Sequence, residues 1–130
     1  MLDLDHFKQV NDRYGHGVGD QVLMATAATI QKCLRHNDVV GRYGGEEFVI
    51  LLPETGLTEA RIVAERIRGN IEEMLISTGE CQVRITTSCG VTLLGVTEDA
   101  TITQALEQAD QALYRAKHEG RNRTALFGCT

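Results

Sequence analysis

The run Arg42-Tyr43-Gly44-Gly45-Glu46-Glu47-Phe48 constrains this chain more than any other stretch. Val39-Val40 precedes it and Phe48-Val49-Ile50-Leu51-Leu52 follows; their alternation and β-branching predict two antiparallel strands joined by a tight turn at Gly44-Gly45. The paired glycines are expected to supply the positive-φ positions of a primed turn. They also leave a bare backbone against which a bulky ligand can lie. Two adjacent carboxylates at such a tip repel each other unless a cation or a proton is shared between them. The run therefore reads either as a binding site or as a solvated hairpin whose acids discourage edge pairing.

The chain has 130 residues, 42% of them hydrophobic, which is enough for one domain with a single core over 1–130 and leaves no room for a second. A net charge of −5 argues against a nucleic-acid partner, so any nucleotide is bound locally. Cys33, Cys81, Cys89 and Cys129 lie far apart, without zinc-type spacing, and read as reduced thiols of a cytoplasmic protein. The longest apolar runs are too short for a membrane span.

Met1-Leu2-Asp3-Leu4-Asp5 alternates apolar and acidic residues, as expected for a buried strand emerging at a site. Asp3 and Asp5 share a face, and the Leu4 carbonyl is available as a hard oxygen ligand, so the stretch reads as a magnesium corner or as a strand end with solvated acids. Because Met1 stands almost on the acid, the natural domain is expected to begin further upstream. Residues 6–10 turn helical and run into a glycine-containing loop over 11–20. Asn11 offers an amide donor and acceptor, and Asp20 offers two acceptors suited to the N1 and N2 donors of guanine, which adenine lacks. Asp20 is equally placed to cap a helix over 21–34, and His16 to serve as an ordinary loop hydrogen-bonder. Arg35 and Asp38 are spaced either to face one ligand or to form a local ion pair.

Pro53-Glu54-Thr55-Gly56 stops the second hairpin strand, and 57–75 reads as an amphipathic helix with Arg61, Arg66 and Arg68 on its solvated face. Residues 77–79 read as a loop, 83–96 as a long strand or bulged pair, and 102–116 as a third amphipathic helix capped by Gly120. Lys117 and Arg121 flank that cap, where cations either complement the helix dipole or contact phosphate. Residues 124–127 read as a final strand of the sheet.

Together these stretches supply hard-metal carboxylates, a guanine-reading pair and phosphate cations on one scaffold. At this point the sequence closely resembles the diguanylate cyclase, or GGDEF-domain, family over essentially all 130 residues. The carriers are Asp3-Leu4-Asp5-His6-Phe7-Lys8, Asn11-Asp12, Gly15-His16, Gly19-Asp20 and the run from Arg42 to Phe48. Further carriers are Ala109-Asp110, Ala112-Leu113-Tyr114, Ala116-Lys117 and Gly120-Arg121-Asn122.

The resemblance implies an α+β fold like the palm of nucleotide cyclases and polymerases, ferredoxin-like, with a central, mainly antiparallel sheet flanked by helices. It implies condensation of two GTP into cyclic di-GMP and two pyrophosphates across a homodimer. In that reading Asp3, the Leu4 carbonyl, Glu46 and Glu47 hold Mg2+, or Mn2+ in its place, and Glu46 is also the candidate base. Lys8 neutralises the transferring phosphate; Phe7, Asn11, His16 and Asp20 meet the substrate; Lys117 and Arg121 grip its terminal phosphates. Arg35, Asp38 and Arg66 fall at the family's inhibitory product site. The family's usual leading helix and Asp-x-Leu-Thr-Gly-Leu-x-Asn-Arg segment are not in the sequence, and a sensory or regulatory module is expected in the full protein. The alternative is a catalytically silent module that binds GTP or cyclic di-GMP.

Overall fold

The computed structural model describes residues 1–95 and 99–128. Its centre is strand β1 (Leu2–Leu4), buried along its whole length. On one side β1 pairs antiparallel with β3 (Glu47–Leu51), and on the other with β6 (Thr87–Val91). Strand β2 (Val39–Arg42) lies antiparallel outside β3, and β7 (Thr124–Leu126) lies parallel outside β6. The sheet order is thus β2-β3-β1-β6-β7, mixed but mainly antiparallel, as the sequence implied.

Among the described residues four helices accompany the sheet: α1 (Phe7–Tyr14), α2 (His16–Cys33), α3 (Leu57–Glu73) and α4 (Ile102–His118). The main core gathers Phe7 and Val10 of α1, Val22 and Ile30 of α2, and Ile67 and Ile71 of α3 around Leu2, Leu4 and Phe48 of the sheet. A smaller cluster joins Ala112 and Ala116 of α4 to Ala125 of β7. The close seat of α4 on β6 depends on Gly90, where a side chain would run into the Ala109 carbonyl and the Leu113 amide. Thr101 and Gln104 open α4 with a reciprocal capping box.

Several expectations need correction. The segment over 11–20 is not a loop: α1 continues to Tyr14, the chain breaks at Gly15, and α2 begins at His16, so Asp20 lies inside a helix and does not cap one. At the hairpin tip neither Gly44 nor Gly45 adopts a positive φ. Four residues, from Tyr43 to Glu46, join the strands, with the Tyr43 amide donating to the Glu47 carbonyl at 2.8 Å, so no two-residue primed turn is needed. Residues 77 and 78 belong to β4 (Ile76–Thr78), which pairs with β5 (Cys81–Val83) as a separate two-stranded sheet. The strand expected over 83–96 is divided between the end of β5 and β6; its last residue, Val96, and also Cys129, lie outside the described residues. The helix expected over 57–75 ends at Glu73, and Leu75 and Ile102, the outer ends of the two expected amphipathic helices, are exposed. Cys33 and Cys89 are buried thiols, and burial pushes Cys89 up to about 12, consistent with a reduced, unreactive group.

Candidate active site

The end of β1 sets the geometry. After Leu4 the chain turns sharply through His6, which has φ 56, and α1 begins at once with Phe7 buried and Lys8 exposed. Helices α1 and α2 then pack as a tight hairpin. Gly19 is fully engaged in that packing: a Cβ there would overlap Asn11 Oδ1 and come within 3.3 Å of Phe7 Cζ. A glycine in the second helix is therefore what lets the Asn11 amide lie between the two helices.

This packing produces a cavity of about 460 Å³, within the range of small-molecule sites. Phe7, Lys8 and Asn11 line it from α1, and His16, Asp20 and Leu23 from α2. Arg42, Gly45 and Glu46 line it from the hairpin. Six candidate site residues are brought to one concavity: Asn11, His16, Asp20 and Glu46, singled out in the sequence, and Phe7 and Lys8, named through the resemblance. Arg42 belongs to the run at the hairpin but was given no role of its own. Its guanidinium donates twice to the Gly45 carbonyl, at 3.0 and 2.7 Å, and so braces the loop that carries Glu46. A second cavity of about 510 Å³, lined by Val49, Leu51, Ile67, Val91, Leu93 and Leu106 among others, is largely aliphatic and lacks such a convergence of polar groups.

Beside the hairpin, β1 and β3 place Asp3 directly opposite Glu47. Asp3 is buried and Glu47 partly so. Burial, reinforced by the facing Asp3 carboxylate, raises the Glu47 carboxyl above its ordinary value. The neighbour of Asp3 across the ladder is thus Glu47, whereas Glu46 meets β1 through its backbone carbonyl, which accepts from the Leu4 amide at 3.2 Å. Lys117 reaches across from α4, its Nζ 2.9 Å from Asp3 Oδ2. The two ends of the chain therefore meet, with Lys117 on an acid where the sequence reading had it on phosphate. Arg121, four residues on, is exposed.

Asp5 is not a solvated strand end. Its buried carboxylate accepts from Thr86 Oγ1 and Ser88 Oγ, each at 2.7 Å, and from the Asn122 amide at 3.0 Å. Arg68, expected on the solvated face of α3, bonds Glu65, Glu72 and Asn122. Its acids at i−3 and i+4 were the signal available in the sequence. Arg35 and Asp38 form the local pair, at 3.6 Å, and the Arg35 amide donates to Asp38 Oδ2 at 2.7 Å. The Arg35 guanidinium also donates to Thr55 Oγ1 at 2.6 Å. Asp38 Oδ1 is buried without a hydrogen-bond partner among the described residues, and Arg66 is exposed on α3.

Two facing carboxylates with one lysine on Asp3 form an oxygen donor set with surplus negative charge, which fits a hard divalent cation. The described residues contain no cluster of three or more His, Cys, Asp or Glu side chains that could hold a metal, so backbone or substrate oxygens would have to complete the shell.

Residues 1–123 match the family model described as "Diguanylate cyclase, GGDEF domain". The sequence is 43% identical to diguanylate cyclase A of Treponema denticola, over 97% of this chain and 34% of that protein. It is 46% identical to diguanylate cyclase DgcM of Escherichia coli, over 95% of this chain and 29% of that protein. The chain thus spans about a third of the length of these curated relatives. Among solved structures, it is similar to diguanylate cyclase SiaD of Pseudomonas aeruginosa, in complex with its activator SiaC, with a TM-score of 0.90 and 42% identity over 96% of this chain and 47% of that chain. It is also similar to the GGDEF domain of DgcB from Caulobacter crescentus in complex with c-di-GMP, with a TM-score of 0.91 and 32% identity over 98% of this chain and 75% of that chain.

Proposed function

The chain belongs to the diguanylate cyclase, GGDEF domain family, and we propose that it binds GTP and condenses two GTP molecules into cyclic di-GMP with release of two pyrophosphates. The observation that carries this reading is the single cavity lined by Lys8, Asn11, His16, Asp20 and Glu46, next in sequence to the Glu47 that faces Asp3.

In that cavity the Asp20 carboxylate accepts the N1 and N2 hydrogens of guanine, the Asn11 amide supplies a donor and an acceptor, and His16 and Phe7 complete the base contacts. An adenine would leave Asp20 unpaired against an acceptor, which is the physical basis for its rejection. Asp3, the Leu4 carbonyl, Glu46 and Glu47 would hold Mg2+, or Mn2+ in its place. Bound there, the ion offsets phosphate charge and lowers the pKa of a 3′-hydroxyl. Lys117 leaves Asp3 for the terminal phosphates, which Arg121 also meets, and Lys8 balances charge on the transferring phosphate. The attacking 3′-oxygen forms a bond to the α-phosphorus of the second GTP, the α–β phosphate bond breaks, and pyrophosphate leaves. Glu46 accepts the hydroxyl proton in this scheme.

One cavity holds one GTP, so each 3′-hydroxyl reaches the other α-phosphate only when two copies face each other across a two-fold axis. A regulatory module in the full protein would set how often they meet. No described helix is long and apolar enough to cross a membrane. Arg35, Asp38 and Arg66 form the proposed product site, supported by the exposed guanidinium groups of Arg35 and Arg66 and the ion pair that ties Arg35 to Asp38. Occupation requires the Arg35 guanidinium to leave Thr55.

Incubation with GTP and Mg2+, followed by chromatography, tests the reading. Cyclic di-GMP and pyrophosphate are the expected products, lost in Glu46→Gln. A folded chain that binds GTP and forms neither would instead be a nucleotide-binding module. Added cyclic di-GMP should slow the initial rate, and Arg35→Ala should relieve that effect; a rate indifferent to product would remove the inhibitory site.

A further inference from the structure

Helix α4 ends in a Schellman stop: Gly120 has φ 127, and the Arg121 amide donates to the Ala116 carbonyl at 3.0 Å. That motif accounts for Gly120. It does not require the next two residues to be left-handed, yet Arg121 has φ 64 and Asn122 φ 47. Asparagine tolerates this region and arginine visits it rarely, so two in succession persist only where surrounding contacts over-determine them. Those contacts are present. The Asn122 amide donates to the buried Asp5 carboxylate at 3.0 Å, and Asn122 Oδ1 accepts from Arg68 Nη1 at 2.8 Å. Asn122 Nδ2 donates to Glu72, and Glu72 and Glu65 hold Arg68 in turn.

We infer that Asp5, Arg68 and Asn122 are positioning residues that fix the turn after α4, so that Arg121 leaves the chain at a set place relative to Asp3 for the phosphate end of the nucleotide. Asp5 lies two residues from Asp3 on the same chain segment, and Lys117, in the last turn of α4 and four residues before Arg121, already rests on Asp3. The turn is therefore indexed to the strand that carries the acid. A cation held in place loses less freedom on meeting phosphate than one on a mobile loop, and this is how a network with no substrate contact acts on substrate. The inference rests on the reading of Arg121 as a phosphate contact.

The test compares binding of GMP with that of a GTP analogue carrying a methylene between the α and β phosphates, which cannot release pyrophosphate. Arg68→Met should weaken the analogue about fivefold and leave GMP within about twofold. The same substitution on an Arg121→Ala background should add nothing, because its route to the ligand is gone. Asn122→Gly keeps the amide to Asp5 and tolerates the backbone conformation while deleting the side-chain tethers. It should repeat the Arg68→Met result, and serves as the readout if Arg68→Met does not fold. Equal losses for GMP and the analogue, or an Arg68→Met effect undiminished by Arg121→Ala, would overturn the positioning role. If Arg121→Ala alone leaves analogue affinity unchanged, the phosphate-contact reading falls and the inference falls with it.

Discussion

Asp3 carries an unusual load for a single buried residue: Glu47 faces it across the ladder and Lys117 pairs with it. Removing the lysine leaves two facing carboxylates short of a counter-charge. Lys117→Ala should therefore cost about 2 kcal/mol of stability in metal-free buffer, with much of it restored by millimolar divalent cation. A melting temperature unmoved by the substitution would show that the pair is solvated and idle. Glu47 has a pH signature of its own. Its folded pKa is raised, chiefly by burial and then by Asp3, so between its unfolded and folded values the native state binds more protons than the unfolded chain. Stability should fall as pH rises through that window, and the penalty should be complete above it. Glu47→Gln should flatten this fall and melt higher than the parent at neutral pH without metal. Parallel melting curves across the acid range would contradict the assignment. At this scale the sequence named the acids Asp3, Glu46 and Glu47, but not that Glu47 rather than Glu46 stands opposite Asp3. Strand register decides that, and register depends on partners distant in the chain.

Among the elements, the β2–β3 hairpin was legible because alternation and β-branching are local signals, and Val40 indeed pairs with Ile50. The α1–α2 hairpin was not. Three glycines within a few residues read as a loop, whereas only Gly15 breaks the helix and Gly19 serves close packing. Composition cannot distinguish a glycine that bends the chain from one that admits a neighbour. The distinction has a consequence: Gly19→Ala should force Asn11 out of place while keeping α2 helical, and weaken guanine-nucleotide binding by about tenfold. Unchanged affinity together with unchanged helicity would mean that Asn11 does not read the base. Strands β4 and β5 escaped notice for a related reason, since Ser77-Thr78-Gly79 has turn composition and only pairing with Cys81–Val83 makes it a hairpin.

For the molecule as a whole, the resemblance carried what local patterns could not: the mainly antiparallel sheet flanked by helices. Each copy offers one nucleotide cavity of the proposed kind, so turnover should depend on encounter. The rate should rise with a power of protein concentration near two at low concentration and near one once dimers saturate. A strictly linear dependence in a preparation shown to be monomeric would rule out the two-copy scheme. The most direct check that the α1–α2 cavity sorts nucleotides by their base is a calorimetric titration, with Mg2+, of GTP and ATP analogues that carry a methylene between the α and β phosphates and so cannot turn over. Base reading by Asp20 should make the GTP analogue bind at least about a hundredfold more tightly, with the preference erased by Asp20→Ala. Equal affinity for the two nucleotides, or a preference that survives Asp20→Ala, would contradict it.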